Sequence, residues 1–232
     1  MERARVGSRL IMLAATAVAM IVCLTGCGGS DFTYVMGSDG QSYFKVPASW
    51  QKVDQKALDK VIFGDMSSAT AQARKQLSWT VGYDGFSKPS ADHFLDAGES
   101  DEPFAFAMVM TLTETQRDSV SLDALRNMLL PVAVSADVRE QLEASSPYPM
   151  TGFELLADEV LPPENGVRGV HVVYNFKVLG GSVQTFDQTA YLAADGTRVS
   201  VLLIRCSATC YQNRAGELDR IAQSFKVKRI PG

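Results

Sequence analysis

The sequence predicts an α+β fold, an antiparallel β-sheet flanked by helices. Two observations carry that prediction. In the C-terminal third, apolar-rich runs follow one another through short turn signals at Pro162-Pro163-Glu164-Asn165-Gly166, Gly180-Gly181 and Asp195-Gly196, the mark of successive hairpins. The segments with helical spacing stand apart from these runs instead of alternating with them, which separates α+β from a doubly wound α/β sheet. With 46 % apolar residues and 21 % charged, the chain has the material for a substantial core, and disorder of its body is excluded.

Taken in order, strand-like residues begin at Phe32-Thr33-Tyr34-Val35-Met36 and turn at Gly37-Ser38-Asp39-Gly40. Ser42 to Pro47 alternates and closes on the proline; Val53 to Val61 is ambiguous between a short helix and an irregular strand. From Leu77 to Tyr83, large apolar residues occupy the odd positions of a half-buried strand. Asp84 to Pro103 is polar and rich in breakers, a long loop, and Phe104 to Leu112 is apolar enough to be a central strand. Ser121 is placed to cap a helix carrying Leu122, Leu125, Met128 and Leu129 on one face, with Pro131 as its stop. Ser135 can cap a second short helix that presents Val138 and Leu142. Strands follow at Phe153–Val160, Val167–Val178, Ser182–Ala193 and Arg198–Arg205. Ala215, Leu218, Ile221, Ala222 and Phe225 then fall at helical spacing, before a last extended piece over Lys226–Ile230.

The N-terminus reads as an address. Arg3, Arg5 and Arg9 precede an uncharged run from Leu10 to Ser30, the order of a secretory signal. A run of this length also approaches what an uncleaved membrane helix needs. Leu24-Thr25-Gly26-Cys27 at the end of the run resembles the bacterial lipobox. That resemblance implies a lipoprotein signal peptide over residues 1–26, cleavage before Cys27 and lipidation of the Cys27 thiol. Residues 27–31 would then be a short tether and 32–232 a single globular domain. Acylation of this kind supplies the two-chain anchor that stable membrane attachment needs. The expected location is therefore the extracytoplasmic face of the cell membrane.

Without residues 1–26 the chain loses three arginines and one glutamate, so its net charge goes from −4 to −6. That balance argues against nucleic acid as a partner and against a polybasic grip on anionic lipid. The densest basic run, Lys226-Val227-Lys228-Arg229, reads as the solvent face of a strand.

Two words near the ends of the mature chain resemble the PsbP-like superfamily, which includes bacterial lipoproteins of the LpqN type. The first is Tyr43-Phe44-Lys45-Val46-Pro47-Ala48-Ser49-Trp50 and the second runs from Leu218 through Ser224-Phe225-Lys226-Val227. The resemblance implies an α/β/α sandwich built on an antiparallel sheet, in a superfamily whose members mostly bind partners. Both words are core and turn signatures and speak to fold.

Residues able to carry chemistry are few. Cys206 and Cys210 remain for an oxidising compartment once Cys23 leaves with the signal and Cys27 is lipidated. Their four-residue separation across a strand-to-helix junction suits a disulfide. A reactive pair normally has two residues between its cysteines, so that alternative and unpaired thiols rank behind. Asp92, Asp96 and Asp101 lie in a short acidic loop with His93 and are the candidate ligands of a hard cation, although their spacing is not that of an EF-hand. A solvated loop over a strand edge is the plainer reading. His171 sits in an alternating strand, and no nucleophile elbow, His-Glu-x-x-His or phosphate-cradling loop occurs. No catalytic residue and no cofactor is therefore expected. The expected function is a non-catalytic binding or scaffold module of the cell envelope. Its interface would be the acidic 84–102 loop or an apolar groove between sheet and helices, and its partner an envelope protein or an apolar ligand. A carrier of a small apolar or lipid molecule is the first alternative and an envelope enzyme the second.

Overall fold

The computed structural model describes residues 30–95, 101–145 and 150–228. Strands β4 (Ser78–Asp84), β5 (Phe104–Thr111), β6 (Met150–Glu164), β7 (Val167–Val178), β8 (Val183–Leu192) and β9 (Arg198–Ser207) join the two-residue β3 (Gln51–Lys52) in a seven-stranded antiparallel sheet. The order across it is β3-β4-β5-β9-β8-β7-β6. A smaller sheet sets β2 (Ser42–Pro47) between β1 (Phe32–Met36) and β10 (Lys226–Val227). The α+β antiparallel architecture expected from the hairpins is the one observed.

Alternation along β5 explains how the large sheet serves two layers. Phe104, Phe106 and Met108 enter one core cluster, while Ala105 and Ala107 enter another on the opposite face, because successive strand side chains point to opposite sides. The alanine face takes helix α6 (Ala208–Ser224) through Leu218 and Ile221, together with Val35, Phe44 and Val46 from the small sheet. The aromatic face is covered by α1 (Gln55–Phe63), α2 (Ala69–Gln76), a short 3-10 helix at Ala91–Phe94, α3 (Glu114–Ser119), α4 (Leu122–Arg126) and α5 (Ala136–Ser145).

Local signals account for most element ends. Asp54 caps α1 by accepting from the Ala57 amide, and Gly64 at φ 82° ends it, so the ambiguous 53–61 stretch is helical. Helices α2 and α3 were not anticipated from the sequence. Ser68 caps the former and a Thr113/Gln116 capping box opens the latter. Helix α4 is capped by Ser121 but stops at Arg126, one turn earlier than its apolar spacing suggests. The reason is tertiary: buried Gln188 donates through Nε2 to the Leu125 and Arg126 carbonyls at 3.0 and 3.1 Å. Asn127 then ties the following turn through Oδ1, which accepts from the Ala133 amide at 2.7 Å. Met128 and Leu129 consequently leave the helix and turn under it.

Helix α5 begins after Ser135, but Val138 and Leu142 are 42 % and 44 % exposed. What docks this helix instead is Arg139, whose Nη2 donates to the Val132 and Val134 carbonyls and whose guanidinium stacks over Phe153 at 3.7 Å. Strand β6 runs on through Pro162 and Pro163, which an edge strand tolerates because its outer amides have no ladder partner. The turn itself is Asn165-Gly166, with φ 52° and 85°.

Cys206 and Cys210 form a disulfide with their Cα atoms 5.8 Å apart. It joins the end of β9 to the first turn of α6, where Ser207 caps the helix by accepting from the Cys210 amide. Closing so short a loop restricts the unfolded chain by about 2 kcal/mol. Reduction, or Cys206→Ala with Cys210→Ala, is expected to lower the melting temperature by about 4–8 °C for a chain of this size. No shift in a calorimetric scan with and without reductant would show that the bridge does not constrain folding.

Candidate functional site

The helical layer on the aromatic face is made of short pieces, and it leaves a cleft above the sheet. Met108 and Met110 of β5, Leu203 of β9, Phe186 of β8, Val178 of β7 and Met150 of β6 form its floor. These residues come from five consecutive strands, so at about 4.8 Å per strand the floor is about 19 Å across. Ile62 and Phe63 from α1 and Phe94 and Leu95 from the 3-10 helix wall the cleft, and Met128, Leu129 and Leu130 roof it. Its volume is about 490 Å³, inside the about 300–1,000 Å³ range of small-molecule sites. A second hollow of about 450 Å³ adjoins it, because Leu129, Leu130 and Met150 line both.

Polar side chains are the minority of the lining. Arg74, Ser78, Thr111 and Gln116 line the cleft from segments that meet where the Thr111 amide donates to the Leu77 carbonyl at 2.8 Å. The second hollow carries Asn127, Arg139 and Glu143 beside Leu142 and Phe176. Arg139 Nε is buried there and has no hydrogen-bond acceptor among the described residues. Four methionines in the lining give a surface whose unbranched side chains adapt to what they meet.

The long 84–103 segment contributes to this site through its apolar residues. Asp84, buried at the end of β4, accepts from the Phe86 and Ser90 amides at 2.9 and 3.0 Å, and His93 Nδ1 lies 2.6 Å from it. One carboxylate thereby folds the loop over and drops Phe94 against Phe104 and Phe106. Of the candidate cation ligands, Asp92 is exposed and contacts Ser90, Asp101 is exposed, and Asp96 lies outside the described residues. Among the described residues no group of three His, Cys, Asp or Glu side chains converges as a metal site would require. Cys27 also lies outside the described residues, and no helix among those described is long and apolar enough to cross a membrane.

His171 is a sheet residue, as its alternating strand suggests, but it has a partner that the sequence did not reveal. Its Nε2 lies 2.8 Å from Asp187 Oδ1 on β8, and Tyr211 on α6 donates to Asp187 Oδ2 at 2.9 Å. Both carboxylate oxygens are engaged and the Asp187 side chain is 1 % exposed, so this trio ties α6 to the sheet. Trp50 and the inward residues of β5 are core, and Trp79 packs against that core while only partly buried.

No protein-family profile matches the chain, and no curated protein matches its sequence. Solved structures do match. Cyanobacterial PsbP from Synechocystis sp. PCC 6803 aligns over 88 % of this chain and 96 % of its own, at 15 % identity and a TM-score of 0.51. The fold is PsbP-like. LpqN of Mycobacterium tuberculosis, described as involved in cell envelope biogenesis, aligns over 85 % and 91 % at 11 % identity and a TM-score of 0.40. The Ran-binding protein Mog1p of Saccharomyces cerevisiae aligns over 86 % and 96 % at 10 % identity and a TM-score of 0.42. At these identities the PsbP likeness is one of fold and leaves the cleft to be read from its own residues.

The His171–Asp187 contact makes stability depend on pH. The carboxylate bonded to the imidazole raises the His171 pKa above its ordinary value; burial opposes this, and Glu159 and Asp219 add to the rise. Because the folded value lies above the unfolded one, the contribution is complete below about pH 6.5 and is lost as pH climbs through the raised value. Thermal melts across that window should show wild type losing an advantage over His171→Asn as pH rises. Parallel curves for the two proteins would remove His171 from the account.

Proposed function

We propose that this protein is a membrane-tethered, extracytoplasmic, non-catalytic binding module that carries an apolar or lipid ligand in the cleft between its sheet and its short helices. The cleft floor carries the proposal: five strands present methionine, leucine, valine and phenylalanine to a space of about 490 Å³. Closing such a space on an acyl chain removes apolar surface from water at both partners, about 0.8 kcal/mol per methylene buried. Arg74 in the lining of the cleft and Arg139 in that of the adjoining hollow suit the polar head of an amphiphile better than an uncharged hydrocarbon. The lipobox-like Leu24-Thr25-Gly26-Cys27 supports the tether.

Fluorescence titration with cis-parinaric acid tests the carrier. Saturable enhancement at about one probe per protein is expected. Met110→Trp and Leu129→Trp, which fill the cleft from its floor and its roof, should weaken binding about tenfold or more by excluding two or three methylenes. Enhancement that never saturates, or that both variants leave unchanged, would sink this reading.

A protein-partner reading draws on a separate observation. Edge strand β6 exposes Leu155, Leu156 and Val160 at 46, 49 and 56 %, and the register shift between Leu155 and Ala157 sets the two leucines side by side on the surface. A photo-crosslinker at position 156 in intact cells should trap one partner reproducibly if this edge is a docking strand. Recovery of abundant bystanders alone would leave the cleft as the binding element.

A further inference from the structure

The basic C-terminal run and the first strand of the domain, distant in sequence, meet on one face. In the small sheet Tyr34 pairs with Lys45, Met36 with Tyr43, and Tyr43 with Lys226. Alternation sends Phe44 and Val46 inward to the core and leaves Tyr34, Met36, Tyr43, Lys45 and Lys226 on the other side. Tyr34 is 73 % and Met36 66 % exposed. Lys45 Nζ lies 4.3 Å from the Phe32 ring centre, and Lys228 Nζ lies 4.9 Å from that of Tyr43. The face is therefore a layer of aromatic rings and a methionine, with the Lys45 and Lys228 ammonium groups over its rings and exposed Lys226 on the same side.

We propose that this outer face of β1-β2-β10 is a membrane-docking surface that seats the domain on anionic lipid headgroups. The composition is the one that water–bilayer interfaces select: tyrosine and phenylalanine at headgroup depth, lysine stems along apolar surface with their charge among phosphates. Chain length points the same way. Phe32 follows Cys27 by five positions, so a lipidated Cys27 would hold the start of β1 within about 18 Å of the bilayer surface. Charge orients the domain as well. The chain from Cys27 on carries −6, which an anionic leaflet repels, while this one face carries lysines that it attracts. The overall balance that argued against a polybasic grip is thus compatible with a local one.

The proposal shares the anchor with the proposed function but not the cleft, and its test separates the two. The full chain, with Tyr34→Cys carrying an environment-sensitive fluorophore, is reconstituted through its anchor into vesicles of phosphatidylcholine and phosphatidylglycerol in a two-to-one ratio. Glu159→Cys on edge strand β6 is the control. Spin-labelled headgroups should quench position 34 at least about twofold more than position 159. Lys45→Glu with Lys226→Glu should remove the difference, since each lysine near an anionic surface is worth about fivefold in partition. High salt should reduce it without any substitution, the Debye length falling to about 3 Å at 1 M. Equal quenching at the two positions, or a difference that persists in pure phosphatidylcholine, overturns the proposal. Mass analysis of the Cys27 peptide reads the anchor separately: an unmodified Cys27 with position 34 still quenched sinks the anchor and leaves the docking face standing.

Discussion

The structure depends on the unequal alternation of one central strand. On β5, phenylalanine and methionine face one layer and alanine the other. Alanine lets a long helix lie close, and α6 takes that place across the sheet with Leu218 and Ile221 fully buried. Large aromatic side chains on the opposite face hold their covering elements away. That layer is correspondingly built of helices of five to ten residues, none long enough to seal it. A cleft is the geometric remainder of that mismatch, and the floor stays apolar because the same strand residues also form the core.

The two ends of the domain close on each other over the alanine face. Phe44 meets the Phe225 ring edge-on at 6.4 Å, and the Lys45 amide donates to Ser224 Oγ at 3.0 Å. Trp50 joins the same cluster. Aromatic contacts of this type add about 0.5–1.5 kcal/mol beyond the area they bury. The two sequence words that resemble the PsbP-like superfamily are therefore two halves of one packed unit. The disulfide at the β9–α6 junction and the His171–Asp187–Tyr211 trio hold the same helix from its other end. So placed, α6 carries the chain back to β10, beside β2 and its lysine-bearing face.

Less of the site than of the fold was legible in the chain. Floor, wall and roof come from separate elements that each contribute one to three residues, and no single segment looks unlike ordinary core. Met128 and Leu129 illustrate the difficulty. Their spacing continues the α4 pattern, but Gln188, more than sixty residues away, takes the terminal carbonyls and releases them into the cleft roof. Arg139 is similar, because a charged residue on a polar helix gives no local sign that it will stack on Phe153 and anchor that helix. The Thr113–Gln116 capping box and the Ser68 cap, by contrast, were readable signals of α3 and α2.

What the sequence by itself determined is the antiparallel α+β architecture, the hairpin positions, the closing helix and the pairing of Cys206 with Cys210. Each follows from interactions within a few residues: period-two burial, positive-φ glycines at turns, a capping hydroxyl, a four-residue loop. Tertiary structure alone decided where the short helices stop, that Asp84 holds residues 86–94 so that Phe94 packs on β5, and that the floor of five strands is left partly uncovered. It also decided that the lysines of the C-terminal strand lie on one side of β2 and the aromatic first strand on the other. Those outcomes require side chains distant in the chain to meet, and only packing of the two layers on the sheet brings them together.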